Sequence, residues 1–78
     1  MSNKIEYAET WSHCEVRWDR HLGMWALCAV TADDKEVGER EYRTVQSDAI
    51  EDGMAYTASG RCDRTDIYTK WGKLRRSV

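Results

Sequence analysis

The residues from His13 to Ala32 constrain the fold of this chain more than any others. Cys14, Val16 and Trp18 alternate with Glu15, Arg17 and Asp19, and a period of two marks a half-buried strand. Asp19-Arg20-His21-Leu22-Gly23 reads as a turn in which Gly23 takes positive φ. Met24 to Ala32 follows as a second strand, apolar on both faces over most of its length, as a central strand covered on both sides is. Asp33-Asp34-Lys35 is a polar turn. Val37 to Tyr42 returns as a third strand, heavily charged in the manner of a sheet edge. The three segments form an antiparallel meander.

The period changes after Tyr42. Thr44 or Ser47 is placed to cap a helix N-terminus, and Asp48, Glu51 and Asp52 suit the positive end of a helix dipole. Ala49, Ile50, Gly53, Met54 and Tyr56 or Thr57 recur at helical spacing and form the buried stripe. A glycine inside a helix costs about 1 kcal/mol against alanine, which close approach of helix to sheet at Gly53 would offset. Gly60 is a stop signal. Arg64 to Lys70 reads as a fourth strand centred on Ile67, Trp71-Gly72 as a turn, and Leu74 to Val78 as a fifth strand. The expected fold is α+β: an antiparallel sheet in the order β-β-β-α-β-β with one helix on one face. Residues 1–11, with Ile5, Tyr7 and Trp11 at odd positions, read as an N-terminal arm or an extra strand.

At 78 residues the chain is one domain. A domain this small buries only about 60% of the surface its unfolded chain exposes. With 41% apolar and 33% charged residues it has a globular profile. The absence of proline excludes a proline-rich ligand or linker, and the absence of phenylalanine puts the aromatic core on Trp18, Trp25 and Tyr42. The longest apolar run, Met24 to Val30, falls far short of the roughly 20 residues of a membrane span. Met1-Ser2-Asn3-Lys4 leads into polar sequence and not into an apolar signal segment. Three cysteines, Cys14, Cys28 and Cys62, are an odd number and not a disulfide framework. A cytoplasmic protein with reduced thiols is expected, Cys14 and Cys28 acting as small buried apolar residues.

Catalytic chemistry finds little support. His13 and Cys14 are adjacent, and adjacent strand residues point to opposite faces; a Cys14–His21 or Cys62–His13 pair would arise only through the fold. His13, Cys14, His21, Cys28 and Cys62 contain no Cys-x-x-Cys and no His-x-x-x-His, so no metal is expected. The five glycines are scattered singly and cradle no phosphate. The expectation is a protein that is not an enzyme and needs no cofactor.

The charge distribution points to binding. Residues 33–52 carry eight acids (Asp33, Asp34, Glu36, Glu39, Glu41, Asp48, Glu51, Asp52) against three bases, a net of −5. Residues 61–78 carry six bases (Arg61, Arg64, Lys70, Lys73, Arg75, Arg76) against two acids, a net of +4. One acidic and one basic face can result, although a solvated surface of cancelling signs is the plainer outcome. Trp71, in a predicted turn, and Trp11, near the N-terminus, are left outside the core as candidate anchors for a partner.

Gly23, Trp25 and Ala26, then Tyr42 and Thr44, then Ala49 and Ile50, and finally Gly72, Lys73, Leu74 and Arg75 form a pattern. This pattern resembles that of a small bacterial family, domain of unknown function 2188, over residues 13–78. The departures are an extra residue, Met24, between Gly23 and Trp25, a helix with Gly53 and three acids, and 12 leading residues without counterpart. The resemblance implies a fold and no activity. In size, charge and architecture the chain is also similar in outline to phage-encoded inhibitors of host defence, including anti-CRISPR proteins.

The first expected function is therefore a non-catalytic protein-binding module of this inhibitor kind. Its partner would be a host protein or ribonucleoprotein complex, whose basic nucleic-acid-binding surface it occludes with the acidic segment, Trp71 and Trp11. Its alternatives are direct nucleic-acid binding by Arg61, Arg64, Lys70, Lys73, Arg75 and Arg76 beside Trp71, or a homodimer formed through a sheet edge.

Overall fold

A computed structural model describes residues 10–78 of the chain. The alternating and the apolar segments pair as expected: β1 (His13–Asp19) and β2 (Met24–Val30) form an antiparallel hairpin with Trp18 opposite Trp25 and Val16 opposite Leu27. Asp19 Oδ1 accepts the His21 and Leu22 N–H groups and closes the turn. β3 (Glu36–Arg43) pairs antiparallel to β2 and forms one edge of the sheet. The helix α1 (Gln46–Ala58) follows, then β4 (Arg64–Tyr68) and β5 (Leu74–Ser77). The element order is the expected β-β-β-α-β-β.

The sheet runs β3-β2-β1-β4-β5 and is mixed, which corrects the expectation of a wholly antiparallel sheet: β1 and β4 are parallel. The reason is directional. Two hairpin reversals make β3 run the same way as β1. The helix then carries the chain back along the sheet, so β4 starts from the end where β3 started. Placed beside β1, it can only be parallel to it.

The helix side of the sheet carries Cys14, Val16, Leu27, Ala29 and Ile67, closed by Ala49 and Ile50 of α1. Trp18 and Trp25 meet edge to face at 5.2 Å. Three residues depart from expectation. Met54 is exposed, because Ala49, Ile50 and Gly53 make the buried stripe of α1 and Met54 falls beside it. Tyr42 is 37% exposed, because it sits opposite Ala26 on the face that the helix does not cover, on an edge strand. The N-cap is Val45 with no side-chain cap, one residue after Thr44 and two before Ser47.

Trp11 is corrected more fully: it is 6% exposed and belongs to the core. Its N–H donates to the Arg61 carbonyl, and Ser12 N–H to that of Val30, so the chain joins the sheet before β1 begins. The indole Nε1–H donates to Cys14 Sγ, and the ring meets Tyr56 edge to face at 5.3 Å. The Ile5 and Tyr7 positions of the expected arm or extra strand lie outside the described residues. Among the described residues no helix is long and apolar enough to cross a membrane.

Candidate functional site

The parallel pairing of β1 and β4 gathers one end of the molecule. β1 and β4 finish there side by side, with Val16 opposite Ile67. The β1–β2 turn, with exposed Arg20 and His21, and the β4–β5 turn, with exposed Lys70 and Trp71, extend from it. The start of α1 also reaches this end: Gln46 donates to the Tyr68 carbonyl and accepts from Arg75. A cleft of about 250 Å³ is lined by Arg17, Trp18, Tyr68, Thr69, Lys70 and Gly72.

The β4–β5 turn is firmly built. Thr69 N–H donates to the Lys73 carbonyl, Gly72 N–H to the Thr69 carbonyl, and Thr69 Oγ1 accepts from the Trp71 and Lys73 amides. Gly72 supplies the positive φ of 79° that a side chain would resist. The result lifts Trp71 away from the body, 88% exposed. Lys70 Nζ stands 4.2 Å from the centre of the Trp18 ring, a cation–π contact, and Arg17 covers Tyr68 at 5.2 Å. Among the described residues no carboxylate lies within ion-pair distance of Lys70, Lys73, Arg75 or Arg76.

The other two predicted bases lie elsewhere. Arg64 begins β4 at the far end of the sheet and grips Asp66 with Nε and Nη2 at 2.9 and 3.2 Å. Arg61 follows the helix and stacks over Trp11 at 5.4 Å. The expected basic set therefore divides, four residues on the hairpin and two away from it.

The acidic set also divides, and half of it is already engaged. Glu36 takes Arg40 through two hydrogen bonds of 2.9 Å, which holds the Glu36 carboxyl below the usual range and raises Arg40. Asp52 on α1 takes Arg43 in the same two-point manner. Glu41 accepts the Tyr56 hydroxyl at 2.6 Å, and Asp33 accepts from Thr31 with Lys35 nearby. Asp34, Glu39, Asp48 and Glu51 have no ion-pair partner among the described residues. They are spread over a turn, the edge strand and the helix.

A third group was not foreseen. On the face away from α1, His13, Glu15 and Asp66 are all buried, with one ligand-type atom of each within 4.8 Å of the others. His13 Nε2 lies 2.9 Å from Glu15 and 3.8 Å from Asp66, and Nδ1 lies 3.1 Å from Ser12 Oγ. One imidazole and two carboxylates suit a divalent cation in type. Both carboxylates are taken, however: Glu15 by Arg17, and Asp66 by Arg64 and by the Ser77 hydroxyl at 2.6 Å. A cation would have to displace two guanidinium groups, so the cluster is a buried polar network in which His13 of β1 faces Asp66 of β4. Burial of Asp66 opposes its ionisation, but the Ser77 and Arg64 hydrogen bonds outweigh it and its pKa is lowered.

The thiols lie apart from these charges. Burial pushes Cys14 and Cys28 up to about 12, so each is held as a protonated thiol. His13 and Cys14 point to opposite faces of β1, and His21 is exposed in its turn. No protein-family model, no curated protein and no solved structure matches the chain.

Proposed function

We propose that the protein is a non-catalytic binding module that takes single-stranded nucleic acid at the β4–β5 hairpin end. Trp71 stacks on a base, and Lys70, Lys73, Arg75 and Arg76 hold the adjoining phosphates. The observation that carries this reading is Trp71, 88% exposed and set between two lysines without carboxylate partners among the described residues. A base-stacking aromatic flanked by cations is the usual platform for a single strand. The net charge of −2 does not oppose it, because charge is unevenly placed: residues 70–76 carry four bases and no acid. The reading takes the protein to be cytoplasmic, in keeping with its three free cysteines. It keeps the resemblance to domain of unknown function 2188 as a family reading that rests on the sequence pattern of residues 13–78.

The test is anisotropy of a labelled oligothymidylate against a salt series. Binding at low salt that weakens steeply as salt rises is expected. Absence of binding at low salt would overturn the reading.

The carboxylates Asp34, Glu39, Asp48 and Glu51, without ion-pair partners among the described residues, favour a second reading, the phage-type inhibitor of host nucleic-acid machinery. In that case the acidic residues occupy phosphate positions on a basic partner surface. Changing these four to lysine would abolish capture of such a partner and leave oligonucleotide binding intact or stronger.

A further inference from the structure

Cys14 and Cys62 are 48 positions apart in sequence, yet their sulfurs lie 3.6 Å from each other. Both are buried on the helix side of the sheet. Their closeness is fixed by backbone pairing on either side of Cys62: Trp11 N–H donates to the Arg61 carbonyl at 3.1 Å, and Asp63 N–H donates to the Ser12 carbonyl at 2.9 Å. Cys28 is on the other face of the sheet, among Ala26 and Val30. Of the three thiols, the fold brings two into contact and keeps the third apart.

We propose that Cys14 and Cys62 are a reversible dithiol–disulfide site, oxidised by a small-molecule disulfide such as glutathione disulfide. A disulfide bond is about 2.05 Å long, so the sulfurs must close by about 1.5 Å from their separation of 3.6 Å. Cys62 is the residue for first attack, because it is 7% exposed and Cys14 is fully buried. Its thiolate attacks one sulfur of glutathione disulfide, forms a mixed disulfide and releases one glutathione thiolate. Cys14 then loses its proton and attacks the Cys62 sulfur, displacing the second glutathione. Two protein thiols are oxidised, one glutathione disulfide is reduced, and the two protons end on two glutathione thiols.

The bond would tie the start of β1 to the segment that leads into β4. It would enclose β2, β3 and α1 in one covalent loop. Closing a long loop restricts the unfolded chain and raises stability. Burial also makes the exchange slow in the folded state, since both thiols are held above their ordinary pKa. Oxidation therefore proceeds through local opening or during folding.

The test uses the full chain, both folded and during refolding from denaturant, in glutathione redox buffer, followed by alkylation and intact mass. The expected product has lost two hydrogens, retains one alkylatable thiol at Cys28, and yields a peptide linking Cys14 to Cys62. Its thermal midpoint is higher by on the order of 10 °C, and reduction restores the original value. Cys28→Ser should still form the bond, and Cys62→Ser should not. Three alkylatable thiols after oxidative refolding, a link through Cys28, or an arrest at the mixed disulfide would overturn the proposal. So would an oxidised form that melts no higher than the reduced one.

Discussion

Gly53 of α1 lies so close to Thr65 of β4 that a Cβ on the glycine would stand 2.7 Å from both Cγ2 and Oγ1 of the threonine. This contact sets how deeply the helix sits on the sheet. Gly53→Ala should therefore destabilise the protein. The helix gains about 1 kcal/mol of intrinsic propensity, but forcing a methyl group into a packed contact costs about 1–3 kcal/mol. A net loss near 1 kcal/mol is expected in urea unfolding. In a Thr65→Ala background the same substitution should become neutral or favourable, because both opposing atoms are gone. Equal losses in the two backgrounds would show that Thr65 is not the obstacle.

Thr65 also has a hydroxyl that is buried without a hydrogen-bond partner among the described residues. A buried polar group left unpaired costs about 1–3 kcal/mol. Valine keeps the branched shape that suits a strand and removes the hydroxyl. Thr65→Val should raise stability by about 1 kcal/mol, read from the shift of the urea midpoint at unchanged slope. A loss of stability would mean that the hydroxyl is hydrogen-bonded in solution.

Local pattern accounted for most of the elements and little of the site. The alternation through Cys14, Val16 and Trp18 and the helical spacing of Ala49, Ile50 and Gly53 depend on near neighbours, so they could be read from the sequence. The β1–β4 pairing joins residues some 50 positions apart, and nothing local specifies it. That single pairing brings Arg17, Trp18 and Arg20 to the end where Lys70 and Trp71 lie. It also closes His13 and Glu15 against Asp66. Period-two reading put His13 and Glu15 on one face of their strand, but not beside the second carboxylate. Trp11 was misread for the same reason, since its burial depends on Arg61 and Tyr56.

The His13–Glu15–Asp66 network makes a prediction about acid. The Asp66 pKa is lowered in the folded protein, so the stability it contributes is complete above the unfolded aspartate value of about 3.9. That stability is lost as pH falls through the lower folded value. Asp66→Asn should cost roughly 2 kcal/mol near neutrality, because the buried side chain loses the charge-assisted hydrogen bonds it accepts from Arg64 and its bond from Ser77. The difference between the variant and the parent should shrink steadily as pH falls below 4, as followed by unfolding at a series of pH values. A difference independent of pH would mean that the carboxylate acts by shape and not by charge.

Trp71 separates binding from folding more sharply than any other residue. At 88% exposure its side chain adds almost nothing to the core, and changes at such surface positions usually fall within about 0.5 kcal/mol. Trp71→Ala should therefore leave the urea midpoint where it is. If the indole stacks on a base, the same change removes about 1–3 kcal/mol of binding, a loss of tenfold or more in affinity for oligothymidylate. Trp71→Tyr should keep most of that affinity, because a smaller ring still offers a face. The slope of affinity against salt should stay unchanged in both variants, since the phosphate contacts belong to Lys70, Lys73, Arg75 and Arg76. Lys73→Glu should do the reverse, flattening the salt slope while Trp71 fluorescence is still quenched by the bound strand. Equal affinities for the parent and Trp71→Ala would remove stacking from the mechanism, and an unchanged slope in Lys73→Glu would remove the hairpin cations.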